Sequence, residues 1–199
     1  MFTGIIEATG TIATIETSGT NKTFWISSPI SQELKIDQSV SHNGVCLTVE
    51  EVKDGAHRVT AIAETLEKTN LGKWNQSDSI NIERCLMING RLDGHMVQGH
   101  VDTTATCIKL TELNGSWEYS FHFSTQFAEL LVEKGSIAIN GISLTVFNVG
   151  KDHFSVAIIP YTYEHTNMQA VKEGTTVNLE FDIIGKYVLR NAQLHAKSR

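Results

Sequence analysis

The amino-acid sequence contains the same segment twice. A shift of 97 positions places residues 43–83 on residues 140–180 without a gap, and 14 of the 41 aligned pairs are identical. Average composition would give about 2 to 3 identities by chance. A second block that begins at Gly4 matches one that begins at Gly99 at a shift of 95. The difference of two residues is a loop insertion, which surface loops tolerate. The chain is therefore a tandem duplication of one unit.

The duplication divides the 199 residues into two units and a tail. We assign residues 1–95 to unit one, including a turn-rich linker over residues 87–95, and residues 96–185 to unit two. We expect a C-terminal helix over residues 186–199. Units of this size bury only about 60 to 65% of the surface that they expose when unfolded. They are therefore expected to dock against each other or to oligomerise.

Each unit has the residue pattern of β-structure. Runs rich in Val, Ile and Thr, such as residues 39–52, 57–63 and 79–85, are separated by turn signals such as Asn-Gly and Asp-Gly. Strands joined by short turns indicate a sandwich or a small closed barrel. Residues 124–134 and the tail 186–197 have helical patterns. For the tail, a surface helix and an oligomer contact both remain open.

Composition excludes several classes of protein. A net charge of −6 without a basic face argues against nucleic acid as a partner. Three cysteines without paired spacing are typical of a reducing compartment, and we expect no signal peptide, no membrane span and a cytoplasmic protein. Metal-ligand spacing, G-x-G-x-x-G, a P-loop and G-x-S-x-G are all missing from the sequence, so we expect no metal site, no such nucleotide loop and no hydrolase triad.

Function is expected where the two copies differ. Cys46 in unit one is replaced by Ser143 in unit two, within the shared pattern N-G-x-x-L-T-V. A strand Cys is usually a small core residue, but a Ser is disfavoured in a core unless it is hydrogen-bonded. This difference favours a polar cavity at the position. Thr48 and Thr145 lie two residues further on and share its face, although a Thr can also simply fill a strand.

The beginning of each unit holds a second difference. Gly4 and Gly99 match, and a glycine lets the backbone approach a flat ligand closely. His100 stands where unit one has Ile5. A single histidine is more often structural or solvated than catalytic, but the side chain can move a proton at neutral pH. His100 is therefore a candidate catalytic residue.

Seven motifs carry a resemblance to a known family. In chain order from residue 1 to about residue 188 they are MFTGI, NGVCLTV, ETLEKTNLG, GHMVQGHVD, KGSIAINGISLTV, IPYTYEHTN and NLEFDIIGKYV. Together they resemble the riboflavin synthase alpha-chain family. The resemblance implies an all-β fold of two tandem six-stranded Greek-key β-barrels followed by a C-terminal α-helix, in a cytoplasmic homotrimer.

The resemblance also implies a reaction. Two molecules of 6,7-dimethyl-8-ribityllumazine exchange a four-carbon unit and give riboflavin and 5-amino-6-ribitylamino-uracil, the last step of riboflavin biosynthesis. Neither a cofactor nor a metal takes part. Each barrel binds one lumazine, and the productive pair forms between the N-terminal barrel of one subunit and the C-terminal barrel of its neighbour. Association with lumazine synthase is left open.

Individual residues receive roles from the same resemblance. It implies catalytic roles for Cys46, His100, Ser143 and Thr145. It implies substrate contacts in both units, made by Gly4, Ile5, Ile6, Leu47, Thr48, Thr60, Ala61, Ile62, Ala63, Glu64, Thr65, Gly99, Val101, Lys134, Leu144, Ile158, Ile159, Pro160, Tyr161, Thr162, Tyr163 and Asp182. Asn140 stands where some family members have Asp. Because an amide is no base, that position is either inessential or a hydrogen-bonding residue here.

Two other functions are compatible with a duplicated barrel. A lumazine or flavin antenna protein would bind the same ligand without catalysis, but such proteins tend to lose the catalytic side chains that this sequence keeps. A plain structural β-barrel would leave the matched polar faces unexplained. Because fold alone does not decide function, the choice between these functions depends on the side chains that the sequence keeps. We therefore expect an enzyme.

Overall fold

The structure, a computed structural model, is described for residues 1–196, so the last three residues of the predicted tail helix lie outside the described part. The strands are β1 (Ala8–Ser18), β2 (Asn21–Ser27), β3 (Ser39–His42), β4 (Val45–Thr48), β5 (Glu51–Lys53), β6 (Ala56–Ala61), β7 (Ser79–Arg84), β8 (Thr103–Leu113), β9 (Ser116–His122), β10 (Ser136–Ile139), β11 (Ile142–Phe147), β12 (His153–Ile158) and β13 (Thr176–Phe181). The α-helices are α1 (Ala63–Lys68), α2 (Pro160–His165) and α3 (Ile183–Ala196). Short 3₁₀ helices lie at Ser31–Glu33, Asn70–Lys73, Thr125–Leu130 and Asn167–Ala170.

Unit two is a closed six-stranded barrel. Its strands follow the order β10-β11-β12-β9-β8-β13, and β13 pairs back with β10. Every pair in it is antiparallel, and the order departs from the chain order where β9 pairs with β12, as in a Greek key. The predicted all-β fold with tandem barrels and a C-terminal helix is confirmed.

Unit one repeats this order with one difference. Its sheet runs β4-β3-β7-β1-β2-β6-β5, seven strands where we predicted six. The strand that corresponds to β11 is broken into β4 and β5, and the chain changes partners between them, as it also does at Val146 and Phe147 in unit two. The Val49 amide still donates to Gln38 on the β3 side, whereas the Glu50 amide donates to Arg58 on the β6 side. The break leaves unit one as a half-barrel rather than a closed ladder.

Alternation along β4 and β11 separates the core from the outer face. Val45 and Leu47 are buried in the core of unit one, whereas Cys46 is half-buried and Thr48 is exposed. The corresponding core of unit two is rich in Phe, including Phe121 and Phe154. Cys46, Thr48 and their counterparts therefore lie on the outer face of each barrel, where a ligand can reach them.

The helices differ from the sequence prediction. Residues 124–134 form only the 3₁₀ helix Thr125–Leu130, and the Ser124 side chain makes no capping hydrogen bond. The tail helix begins at Ile183, three residues before the predicted start, because the Asp182 carboxylate accepts from the Ile184 amide at 3.0 Å. We did not predict α1 and α2. None of the helices in residues 1–196 has the length and apolar character needed to traverse a bilayer.

The two units exchange their opening segments, which we define as residues 1–6 and 97–101. Phe2 and Val97 pair through amide-to-carbonyl hydrogen bonds of 2.7 and 3.1 Å. The Ser143 amide then donates to the Gly4 carbonyl, and the Cys46 amide donates to the Gly99 carbonyl, both at 2.8 Å. Each opening segment therefore borders β4 or β11 of the other unit.

A second contact between the units consists of buried asparagines, which we call the asparagine network. It contains three pairs of equivalent residues, namely Asn43 and Asn140, Asn70 and Asn167, and Asn81 and Asn178. Asn43 Oδ1 accepts from the Asn81 amide at 2.7 Å, and Asn140 Oδ1 accepts from the Asn178 amide at 2.9 Å. Across the interface Asn81 Nδ2 donates to the Asn140 carbonyl at 3.0 Å, and Asn178 Nδ2 donates to the Asn43 carbonyl at 2.9 Å. The network relates the units by an approximate two-fold axis.

Glycines allow the two turns at this axis to touch. Asn43 and Gly44 both have positive φ, as do Asn140 and Gly141, which is the geometry of the predicted Asn-Gly hairpin turns. A Cβ on Gly44 would lie 2.7 Å from the Gly141 nitrogen. No larger residue fits at that contact without moving the units apart.

A histidine pair lies in the interior of unit one alone. His42 Nδ1 donates to the Val40 carbonyl at 3.1 Å, so its neutral ring accepts at Nε2 from His57 Nε2 at 2.8 Å. His57 Nδ1 in turn accepts from the Ser31 hydroxyl at 2.8 Å. Burial lowers the pKa of His42 well below its ordinary value and that of His57 to about 4. The equivalent positions in unit two are Ile139 and Phe154, so this hydrogen-bonded chain is a feature that only one copy carries.

Candidate functional site

A cavity in unit one brings together residues from both units. It has a volume of about 280 Å³, and we call it the unit-one pocket. Its lining residues are Val45, Cys46, Glu64, Thr65, Lys68, Thr69, Gly99, His100 and Val101. Cys46 and His100 were singled out from differences in separate blocks of the repeat, and the family resemblance gave both of them catalytic roles. The exchange of opening segments is what places them in one cavity.

Close packing fixes the approach of Gly99 to Cys46. Gly99 has a φ of +80°, and a Cβ at this position would lie 2.6 Å from Cys46 Cβ. Gly99 is therefore required both by its left-handed backbone and by the space available. The glycine lets the main chain of the segment form one wall of the unit-one pocket.

The Cys46 thiol is half-buried, and burial raises its pKa. The nearby Glu180 carboxylate adds a smaller upward contribution. At neutral pH the group is therefore a thiol rather than a thiolate. It can donate a weak hydrogen bond or a proton, but its surroundings do not activate it as a nucleophile.

Helix α1 forms the opposite side of the unit-one pocket. Thr65 lies half-buried there, and Thr69 Oγ1 donates to the Thr65 carbonyl at 2.6 Å. Lys68 and Glu64 form an ion pair of 2.7 Å across one helical turn. The mouth of the pocket therefore carries an exposed ion pair, and Lys68 and Thr69 are lining residues that we did not predict.

Unit two repeats this arrangement with different side chains, and we call it the unit-two site (Gly4–Ile6, Ser143 and α2). Gly4 has a φ of +77°, and a Cβ there would lie 2.6 Å from Ser143 Cβ. In place of the ion pair, Tyr161 stacks on His165 with ring centroids 4.0 Å apart. The two sites therefore share their backbone but differ in polarity.

Several predicted contact residues are exposed apolar side chains, as a flat heterocycle would require. Ile62 is 54% exposed before α1, and its counterpart Ile159 is 60% exposed before α2. Ile5 and Tyr161 are 49% and 67% exposed. Ala63 and Pro160 begin the two helices, and Thr162 is half-buried in α2. These side chains are available to a ligand.

Other predicted contact residues face away from the pockets. Leu47, Ala61 and Ile158 are buried in the barrel cores, because they occupy the inward positions of β4, β6 and β12. Leu144 packs against the core of unit two. These residues can offer main-chain atoms but not side chains to a ligand. Thr60 faces outward, where its hydroxyl lies 2.9 Å from that of Thr23.

The remaining predicted residues lie around the unit-two site. Tyr163 is stacked on Trp117 with centroids 3.7 Å apart. Lys134 has a φ of +65°, and its ammonium lies 5.4 Å from the Phe147 ring centroid. Thr145 is exposed on β11 two residues after Ser143. Asp182 caps α3 as described above.

Sequence reasoning missed His95. Its Nδ1 lies 2.7 Å from the Ser143 hydroxyl, and the Asp182 charge acts on its ring. Burial lowers the pKa of His95, so the ring is neutral at pH 7. Among side chains of the described residues, His95 Nε2 is the one buried nitrogen or oxygen without a hydrogen-bond partner. His95 belongs to the linker and has no counterpart in the repeat, so comparison of the two copies could not find it.

Asn140 has a structural role. Its Oδ1 accepts from the Asn178 amide and, at 3.5 Å, from Asn70 Nδ2 within the asparagine network. It lies outside both pockets. Of the two alternatives that the sequence left open, hydrogen bonding is therefore the one that the structure bears out. Within residues 1–196 no group of three or more His, Cys, Asp or Glu side chains could hold a metal ion.

Comparison with known proteins agrees with the duplicated architecture. The model of the lumazine binding domain matches the chain twice, over residues 3–85 and 98–182. Among curated relatives, riboflavin synthase of Actinobacillus pleuropneumoniae is 40% identical over 189 residues, which cover 94% of this chain and 88% of that protein. Riboflavin synthase of Bacillus subtilis (strain 168) is 37% identical over 191 residues, with 96% and 89% coverage.

Solved structures show the same fold. LumP complexed with riboflavin superposes with a TM-score of 0.86 at 20% identity, covering 91% of this chain and 99% of that one. LumP complexed with 6,7-dimethyl-8-(1'-D-ribityl) lumazine gives a TM-score of 0.83 at the same identity and coverage. At this identity the likeness concerns the fold alone.

Proposed function

The chain belongs to the lumazine-binding domain family, and from that membership we propose that it is a riboflavin synthase. The enzyme transfers a four-carbon unit between two molecules of 6,7-dimethyl-8-ribityllumazine and releases riboflavin and 5-amino-6-ribitylamino-uracil. Relatives with that name at 32 to 40% identity along nearly the whole chain support the assignment. The structural observation that carries it is the unit-one pocket, which joins Cys46 to His100 across the two units.

Each unit binds one lumazine in this proposal. The exposed apolar side chains beside α1 and α2 contact the flat ring, and the outer faces of β4 and β11 offer Cys46, Thr48, Ser143 and Thr145. The dismutation needs a proton removed from the 7-methyl group of one lumazine and nucleophilic activation of the other. Holding two rings face to face can contribute about 7 to 11 kcal/mol of the barrier.

The chemical properties of the side chains narrow their roles. Cys46, whose pKa is raised, acts through its S–H group rather than as a thiolate. His100 is exposed at the mouth of the pocket and moves protons. Ser143 and Thr145 polarise the ring or an attacking water in the unit-two site. These four residues are the catalytic residues in our proposal.

Assembly completes the active site in this proposal. As the family resemblance implies, the reacting lumazines are contributed by unit one of one subunit and unit two of its neighbour. Ile184, Tyr187, Val188 and Leu194 of α3 are each at least half exposed, and they support a homotrimer held by this helix. Three free cysteines support a cytoplasmic location.

The test is to mix the purified protein with 6,7-dimethyl-8-ribityllumazine and to follow the appearance of riboflavin absorbance. Titration should also give two lumazine sites per chain. Cys46→Ser should retain binding and lose much of the rate, whereas Cys85→Ser, outside the unit-one pocket, serves as the matched control. Full activity of the Cys46→Ser variant would remove this residue from the mechanism.

A lumazine-binding antenna protein is the second candidate, because the solved neighbours are LumP complexes. Such a protein would bind lumazine at both sites and form no riboflavin. Binding without turnover would overturn the enzyme assignment and leave the antenna function.

A further inference from the structure

Each unit places a buried glutamate in its last strand. Glu83 lies in β7 and is 5% exposed, and Glu180 lies in β13 and is 2% exposed. They are one of the identical pairs of the repeat, at the shift of 97. A carboxylate this deeply buried is costly unless it is fully hydrogen-bonded. The partners that satisfy it therefore indicate why it is there.

The partners are main-chain amides of the opening segments. Glu180 Oε1 accepts from the Gln98 amide at 2.6 Å, and its Oε2 accepts from the amides of Gly99 and His100, both at 2.9 Å. Each carboxylate oxygen thus holds the peptide that forms a wall of the unit-one pocket. Charge-assisted bonds of this kind are stronger than neutral ones.

Glu83 makes the equivalent contacts in the other half of the molecule. Its Oε1 accepts from the amide and the hydroxyl of Thr3, both at 2.6 Å, and its Oε2 accepts from the Gly4 amide at 3.0 Å. The Gly4 carbonyl in turn accepts from the Ser143 amide. Glu83 therefore fixes the segment that borders the unit-two site.

We propose that Glu180 is a positioning residue for the unit-one pocket, where it holds His100 opposite Cys46, and that Glu83 has the same role for the unit-two site. Each glutamate lies in one unit and acts on the pocket of the other, through the exchanged segment. Glu180 is not among the lining residues of the unit-one pocket, whereas Glu83 lines a separate cavity together with Thr3, Ile5 and Ile6. Both act through main-chain geometry, so the pockets depend on the fit between the two units.

The charges around Glu180 agree with this role. Burial raises the pKa of both carboxyls, and the amide donors oppose that shift. Lys186 at the start of α3, paired with Asp102 at 2.6 Å, also favours the ionised form of Glu180. The Glu180 charge in turn acts on the thiol of Cys46, whereas Glu83 is not among the groups that act on it. The Cys46 amide also donates to the carbonyl of Gly99, whose own amide Glu180 holds, so Cys46 reports on Glu180 without any need for turnover.

The experiment compares Glu180→Gln with Glu83→Gln in the full chain. Both variants should lose turnover, because each glutamate positions one of the two sites, and Glu83→Gln is the matched control for the Cys46 readout alone. The amide keeps the size of the side chain but replaces one acceptor oxygen with a donor that faces other N–H groups. A displacement of the reacting groups by about 1 Å can cost 10²-fold in rate. We expect kcat of Glu180→Gln to fall about tenfold to hundredfold, with a smaller change in KM.

The second readout is alkylation of Cys46 by iodoacetamide as a function of pH, followed by mass spectrometry of the Cys46 peptide. Glu180→Gln should move the midpoint to lower pH and speed the reaction, whereas Glu83→Gln should leave the midpoint unchanged. A purely structural weakening would affect both variants alike. Wild-type kcat together with a wild-type alkylation profile in Glu180→Gln would overturn the inference, as would equal shifts in both variants.

A third variant, Glu180→Asp, tests the positioning role if Glu180→Gln does not fold. It retains the charge but withdraws the carboxylate from the three amides. Turnover should fall while the alkylation midpoint stays high, and unchanged turnover would refute the positioning role. The kcat readout rests on the proposed function, but the alkylation readout does not. A wild-type protein without turnover would overturn the proposed function and leave the alkylation test in force.

Discussion

Truncation of one buried asparagine should destabilise both barrels. Asn81 Nδ2 donates to the Asn140 carbonyl at 3.0 Å and to Asn167 Oδ1 at 2.9 Å, and Asn81 Oδ1 accepts from the Asn167 amide at 2.7 Å. The substitution Asn81→Ala removes all three hydrogen bonds at once. Three buried polar groups on the opposite unit then lose this partner.

The magnitude follows from the number of groups left unsatisfied. Each costs about 1 to 3 kcal/mol in a buried site. A cavity of about 470 Å³ lined by Asn140 and Asn167 adjoins the network and can admit water, so the low end applies. The free energy of unfolding should fall by about 3 kcal/mol. For a chain of this length this corresponds to a decrease in Tm of about 6 to 12 °C.

Calorimetry of the variant against two references tests this reasoning. Asn178→Ala removes two hydrogen bonds of the network, to the Asn43 carbonyl and from the Asn70 amide. It should lower the free energy of unfolding by about 2 kcal/mol. Asn114→Ala, in the exposed turn between β8 and β9, should change it by less than about 0.5 kcal/mol. A decrease in Tm for Asn81→Ala no larger than that for Asn114→Ala would refute the assigned role of the network.

Three further predictions concern other features. Gly4→Ala places a methyl group 2.6 Å from Ser143 Cβ at a φ of +77°. Crowding and backbone strain should lower the free energy of unfolding by about 2 to 5 kcal/mol and weaken lumazine binding in unit two. Unchanged binding in a fluorescence titration would contradict the exchange of segments. The pKa of His57 is lowered to about 4 in the folded chain, so the unfolded chain takes up the proton first as pH falls below about 6.5. Between about pH 6.5 and pH 4 the free energy of unfolding should therefore decrease by about 3 kcal/mol from His57 alone. The double variant His42→Ile/His57→Phe, which copies unit two, should flatten that part of the Tm profile, and an unaltered acid slope would show that other groups cause it. Asn140→Asp keeps the acceptor that the network uses and lies outside both pockets, so kcat should stay within about twofold; a large gain in rate would instead identify a base at this position.

The repeat predicted the fold because few architectures can accommodate two copies of a pattern of short strands. The broken strand between β4 and β5 could not be predicted, since Val146 and Phe147 change hydrogen-bond partner in the same way and β11 is nonetheless continuous. Helices α1 and α2 were missed because six residues are too few for a helical period to be detected. The early start of α3 was missed because Asp182 was assigned to substrate contact in unit two rather than to a helix cap.

Sequence comparison of the copies found Cys46 and His100 but not the reason they meet. Alignment of the copies shows which positions correspond. It does not show which unit supplies the residue that meets Cys46 in the pocket. Because the comparison does not show which residues touch across the units, Asn43 and Asn140 were taken as turn residues only. The identity of the polar residues in the two copies was nevertheless a signal of their structural role. Three buried asparagine pairs and one buried glutamate pair are identical between the copies, and buried polar residues of this kind are found where they are hydrogen-bonded.

The exchanged opening segments have a consequence for the origin of the chain. A gene for one unit would have encoded a protein whose pocket lacked a wall, and a second copy of the same protein could have supplied it by a reciprocal swap across a two-fold axis. Such a dimer has two identical pockets by symmetry, and a substitution in one necessarily appears in the other. Fusion of the two copies removes that constraint while it keeps the interface. Joining the halves in one polypeptide thus freed each pocket to acquire its own side chains, cysteine and histidine in one and serine and isoleucine in the other.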